Sequence, residues 1–165
     1  MSTSRRAILG AGLGLAAGTV LGAGGAVAVD QVRREPNAVE PFYGRHQSGI
    51  LTPPHAHTVL VAFDIPDKSQ LPKLLRLWTA DSALLTQGLP ALADPIPELA
   101  ALPARLTVTI GIGEPALPNF AVDELEDRWS GGDVLLQLCA DDETSLSHAR
   151  RQLLKDAAPF AVIRW

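Results

Sequence analysis

The chain has 165 residues, 47% of them apolar and 19% charged, with a formal charge of −4. That is enough apolar sequence for one domain with a sizeable core, and it excludes a disordered chain. Setting aside Arg5 and Arg6, 12 basic residues remain against 18 acidic, so nothing favours nucleic acid as a partner. The single cysteine, Cys139, rules out an internal disulfide and any CxxC metal or redox motif, and reads as a small buried hydrophobe.

The first residues read as a targeting segment. Ser4-Arg5-Arg6-Ala7-Ile8-Leu9 matches the twin-arginine pattern, an uncharged stretch runs from Ala7 to Val29, and Ala26-Val27-Ala28 has the form of a cleavage site, with Ala26 and Ala28 as its small residues. The stretch is long enough to span a membrane, but its glycines lower helix propensity and hydrophobicity. This favours a removable signal over residues 1–28, an uncleaved anchor being the alternative. Contact with the membrane is then transient, and the product is periplasmic or extracellular. The twin-arginine route carries folded proteins, a hint of a cofactor inserted before export. Residues 29–41 follow as an exposed linker.

The loop Glu40–Pro54 carries aromatic, histidine and glycine residues without periodicity. His55 and His57 have the spacing that puts two side chains on one side of a strand, and His46 is near in sequence. No third ligand is spaced to complete a metal site, so solvated loop histidines are the expectation. Thr58–Ile65 is β-branched and apolar, a first strand. Ser69 is placed to cap a helix with Pro72 in its first turn, ending near Gly88, on which Leu71, Leu74, Leu75, Trp78 and Leu85 form one apolar face. Trp78 belongs to that core stripe rather than to a cofactor site. Four prolines between Gly88 and Ala104 predict a long surface loop with at most a helical turn.

Arg105–Ile112 alternates, with Leu106, Val108, Ile110 and Ile112 on one side and Arg105, Thr107, Thr109 and Gly111 on the other, as a strand with one covered face does. Gly111-Ile112-Gly113 lacks the third glycine and the following helix of a nucleotide loop. The acidic connection Pro115–Trp129, with Asp123, Glu124, Glu126 and Asp127, reads as solvated surface rather than as a general acid/base pair. Ser130-Gly-Gly-Asp then turns into an apolar strand, Val134–Ala140. Asp141-Asp142-Glu143 opens a helix whose Leu146, Ala149, Leu153 and Ala157 face a sheet, while Arg150, Arg151 and Lys155 suit the C-terminal end of the dipole. His148 beside that stripe is expected to pack or hydrogen-bond rather than to catalyse. Pro159–Trp165 supplies a last strand.

The resulting order predicts an α+β, ferredoxin-like βαββαβ fold, a four-stranded antiparallel sheet with both helices on one face, over residues 42–165. The fold alone does not assign a function. Four ordered blocks say more: Phe42-Tyr-Gly-Arg-His-Gln-Ser-Gly-Ile50, Leu106-Thr-Val-Thr-Ile-Gly-Ile-Gly113, Ser130-Gly-Gly-Asp-Val-Leu-Leu-Gln-Leu-Cys-Ala-Asp-Asp142, and His148-Ala149 with Val162-Ile-Arg-Trp165. With these the chain resembles the N-terminal half of a dye-decolourising (DyP-type) haem peroxidase, and the twin-arginine segment resembles the exported branch, which includes deferrochelatases.

The resemblance implies a haem b protein of two ferredoxin-like domains that reduces hydrogen peroxide and oxidises dyes or phenolic reductants. In that family the peroxide-side aspartate lies in Gly-x-x-Asp-Gly, after the Arg-Trp block, with a catalytic arginine and the iron-ligating histidine further on. The sequence contains no Gly-x-x-Asp-Gly, and His46, His55, His57 and His148 lie in the wrong half to be the iron ligand. No catalytic, cofactor-binding or metal residue is therefore transferred. The expectation is a fragment inactive by itself, exposing the sheet face that meets the second domain and so prone to self-association. Two other readings stay open: an exported module that binds haem or a small molecule between subunits, and a membrane-tethered structural protein.

Overall fold

The structure is a computed structural model that describes residues 36–113, 124 and 126–165. The expected signal with Arg5, Arg6, Ala26 and Ala28, the first part of the linker, and Asp123 of the acidic connection lie outside the described residues. Among the described residues no helix is long and apolar enough to cross a membrane.

The elements are β1 (His57–Asp64), α1 (Leu71–Leu85), β2 (Thr107–Ile112), β3 (Val134–Ala140), α2 (Glu143–Ala157) and β4 (Val162–Ile163). The sheet runs β2-β3-β1-β4 and every pairing is antiparallel. This is the predicted ferredoxin-like order, and it follows from the two crossovers. Each helix returns the chain past its own strand, so β1 and β3 end side by side at the centre, with β2 and β4 outside them.

The apolar alternation decides which face is covered. Val61 and Phe63 of β1, Leu136 and Leu138 of β3, and Val108 of β2 enter the core, where they meet Leu74, Trp78 and Leu85 of α1 and Leu146, Leu153 and Ala157 of α2. Each fully buried leucine or phenylalanine contributes about 1.5–3 kcal/mol. Trp78 is wholly buried, its ring 5.4 Å from that of Phe63, and its Nε1–H donates to the carbonyl of Leu153 at 2.8 Å. It joins the two helices, as a core residue should.

Boundaries differ from expectation where local chemistry intervenes. Asp67, not Ser69, caps the first helical segment. Its carboxylate accepts from the Ser69 N–H and hydroxyl, and a short 3-10 turn over Lys68–Gln70 leads into α1. β2 starts at Thr107 rather than Arg105, because Ala104 and Arg105 hold left-handed backbone at φ 46° and 57°. β4 pairs over only two residues, and the ladder continues as single bonds from Arg164 N–H to Ala62 O and from Ala62 N–H to Trp165 O. The proline-rich connection carries one 3-10 turn, Pro97–Ala101.

Candidate functional site

With both helices on one face, the other face carries Leu60, Ala62 and Asp64 of β1, Leu135 and Gln137 of β3, and Thr109 and Gly111 of β2. A groove of about 560 Å³ opens on it, lined by Ala62, Ile112, Leu135, Trp129, Trp165 and the Asp64–Arg164 pair, with four glycines at its rim.

The sequence builds this groove through the turn before β3. Gly131 and Gly132 sit at φ 73° and 112°, which side chains rarely adopt. The chain there runs so close to Phe63 that the Asp133 N–H donates to its carbonyl at 2.7 Å. The Asp133 carboxylate accepts from the Ile65 N–H at 2.6 Å and pairs with Lys68. The backbone bond from Ile65, then Lys68, holds this carboxyl below its usual range, so Asp133 is a fixed anion that ties the turn to β1.

Arg164 lies along Gly131, donates from Nε to the Ser130 carbonyl at 2.8 Å, and reaches both Asp64 oxygens at 3.3 Å. Trp129 and Trp165 meet edge to face at 5.8 Å, and the Arg128 guanidinium lies 5.2 Å over the Trp129 ring. The indole Nε1 of Trp165 is buried without a partner among the described residues.

Chemically the described lining is an apolar wall with one ion pair. The cation is paired, the Asp133 carboxyl is held low, and none of the lining residues is Ser, Thr, Cys, Lys or His.

The four histidines are not gathered. His46 is exposed on its loop. His55 is half-buried rather than solvated, and because a carbonyl only accepts, its Nε2–H donates to Arg105 O at 2.8 Å. His57 turns toward the helix side, 3.6 Å from Glu143. His148 is buried, with Nε2 2.8 Å from Asp94 Oδ2, the hydrogen-bonding role expected of it. Among the described residues no three potential metal ligands converge. Cys139 is buried and free, as a small apolar side chain is. Glu124, Glu126 and Asp127 are exposed, as solvated surface should be.

The sequence profile described as "Dyp-type peroxidase, N-terminal" matches residues 47–165. The chain belongs to this family. The DyP-type domain is 37% identical to the Deferrochelatase of Escherichia coli strain K12, over 78% of this chain and 37% of that protein. In fold it is similar to a DyP-type peroxidase from Cellulomonas bogoriensis, with 45% identity and a TM-score of 0.72 over 79% of this chain and 42% of that one. DtpA from Streptomyces lividans, described as an oxyferrous/water mixed complex, follows at 34% identity and a TM-score of 0.71, over 81% and 42% of the two chains. The DyP-type chain thus spans less than half the length of these relatives. The groove it presents holds no His, Cys, Met or Tyr to serve as an axial ligand, so its residues do not by themselves fit a haem iron.

Proposed function

We propose that this chain is the N-terminal ferredoxin-like half of an exported haem peroxidase, which reduces hydrogen peroxide and oxidises dyes or phenolic reductants, and that it is inactive alone. Haem b is then ligated by residues outside this chain. Haem supplies the redox chemistry when bound; what this chain supplies is an apolar wall. Ala62, Leu135, Trp129 and Trp165 offer an apolar surface on the open sheet face, and Arg164 places one cation there, already paired with Asp64. The second domain is the partner proposed for that face.

The observation that carries this reading is the pairing of a family match over residues 47–165 with a groove that lacks any axial ligand. Export is supported by Ser4-Arg5-Arg6-Ala7-Ile8-Leu9 and the Ala26-Val27-Ala28 triplet, which predict cleavage after residue 28 and a periplasmic or extracellular product. The 37% identity to a Deferrochelatase supports a second reading, in which the completed protein removes iron from haem.

Haemin titration of the purified chain, read by absorption and by peroxide turnover, tests the proposal. The chain alone is expected to give neither a stoichiometric histidine-ligated complex nor turnover. The remaining region of a relative, added in trans, is expected to restore both. A ligated, active complex of this chain alone overturns it. Release of iron-free porphyrin by the completed protein would select the second reading.

A further inference from the structure

The loop before β1 carries large apolar side chains that the core does not use. Tyr43, Ile50 and Leu51 are 71%, 67% and 71% exposed. The loop is nevertheless fixed. Arg105 reaches Glu40 at 3.0 Å on one side of it and the Pro53 carbonyl at 3.3 Å on the other. Within it the Ile50 N–H donates to Gln47 O at 3.2 Å and the Gly49 N–H to Thr52 Oγ1 at 3.0 Å. The Ser48 hydroxyl donates to Pro41 O, which draws the edge-to-face pair of Phe42 and Tyr43 alongside.

This loop rests on the open sheet face. A Cβ at Gly49 would stand 3.2 Å from Thr109 Oγ1 and 3.9 Å from Thr107 Oγ1, both on that face of β2. Thr107 and its β3 partner Cys139 turn away from the core, yet they are 2% and 8% exposed, so that end of the open face is roofed. The groove lies at the other end of the same strands, beside Gly111 and Leu135.

Thr107 and Gly111 are four residues apart on β2, which separates loop and groove by about 13 Å. Interfaces between domains of one chain cover about 600–1,500 Å², so even a small one is about 25 Å across. A domain seated on the groove therefore meets the loop, whereas a small ligand held in the groove would not need it. The structural relatives have more than half of their length outside the 42% that this chain covers, enough for such a domain.

We propose that the loop of residues 41–52 and the groove form one docking surface for the second domain, with Ile50 and Leu51 as the loop's contacts and Tyr43 beside them. This rests on the reading of the chain as an N-terminal half. A loop already tied down at Glu40 and Pro53 loses little freedom on docking, so its apolar side chains add to association at small ordering cost. The partner surface opposite Ile50 and Leu51 is then apolar rather than charged.

Association of the full chain with the remaining region of the Cellulomonas bogoriensis relative, measured by titration calorimetry, tests this. Ile50→Lys with Leu51→Lys is expected to weaken it about thirtyfold or more. Leu92→Lys, at a position 78% exposed on the connection bonded to Asp81 of α1, is expected to leave it unchanged. Equal affinity of the wild type and the double variant overturns the loop contact and leaves the N-terminal-half reading standing, whereas a wild type that does not associate overturns both. Self-association that the double variant abolishes, with unchanged affinity for the added region, assigns the loop to a second copy and overturns the proposal. Hydrogen–deuterium exchange of the wild type requires no variant. The added region is expected to slow exchange in residues 42–52 as well as in the turn 131–134, and slowing at the turn alone overturns the loop contact even if the double variant does not fold.

Discussion

Arg105 Nη1 lies 2.8 Å from Asp141 Oδ2, and both side chains are buried. The same guanidinium reaches Glu40 Oε1 at 3.0 Å and the Pro53 carbonyl at 3.3 Å. Its backbone N–H donates to Ala38 O and its own carbonyl accepts from His55, while Asp141 also accepts from the Ala56 N–H. Arg105, through its guanidinium and its backbone, together with Asp141, thereby ties several points of the segment from Ala38 to Ala56 to the sheet. Its left-handed backbone is the cost of turning that side chain inward.

Arg105→Ala therefore leaves Asp141 and Glu40 without their cation. A loss of about 3–5 kcal/mol in urea denaturation is expected, because removing one partner strands a buried charge. Limited proteolysis should find new cleavage between Pro36 and Ala56. Arg105→Lys keeps the charge but not the fork, and should fall between the two. Unchanged proteolysis of the alanine variant would mean that the segment is held by other contacts.

His148 and Asp94 make a second buried pair, whose side chains are 3% and 1% exposed. Asp94→Ala and His148→Ala should each cost about 2–4 kcal/mol by thermal or urea denaturation, and the double variant little more than either single one, since the two losses are one interaction. Additive losses would show that the residues act independently.

The core was legible in the sequence because its periodicities are strong. Leu74, Trp78 and Leu85 at helical spacing, and Val134–Ala140 as an unbroken apolar run, leave little choice of element, and the order of elements then fixes the topology. The polar contacts were not legible. Nothing near Arg105 in sequence points to Glu40 or Asp141, which are 65 and 36 positions away. Alternation placed Arg105 on the open face, whereas its positive φ breaks the strand there. Asp81 and Asp156 lie on separate helices and are buried only by folding, so neither carries a local signal. The groove was partly legible: Ser130-Gly-Gly-Asp and Arg164-Trp165 stand among the family blocks. Trp129 adjoins them only through the turn.

The open face carries Leu60 and, at the groove, Trp129, which are 46% and 55% exposed. Exposed apolar surface of this kind associates. Sedimentation of the isolated chain is expected to show concentration-dependent self-association that the double variant Leu60→Lys with Trp129→Lys reduces, without loss of the folded circular dichroism spectrum. A wild-type chain that stays monomeric at all accessible concentrations would show that the face is not adhesive alone.

The pH dependence of stability should have two limbs of opposite sign. The Asp142 carboxylate caps α2 by accepting from the Ser145 N–H at 3.0 Å, and that bond, as the largest cause, holds it below its ordinary value. A lowered carboxyl gives stability that is present above its unfolded value and lost as pH falls through its folded one. Asp156 has the reverse sign, so its contribution declines as pH rises toward about 7. Stability should then peak at mildly acidic pH. Asp142→Ala is expected to lose about 1 kcal/mol at neutral pH, the usual worth of an N-cap, and the gap to the wild type should close in strong acid. Asp156→Asn should instead abolish the decline on the neutral side and move the maximum upward in pH. Urea midpoints of the three chains across the acid range measure both limbs, and a wild-type profile rising steadily to neutral pH would remove Asp156 as the source of the second.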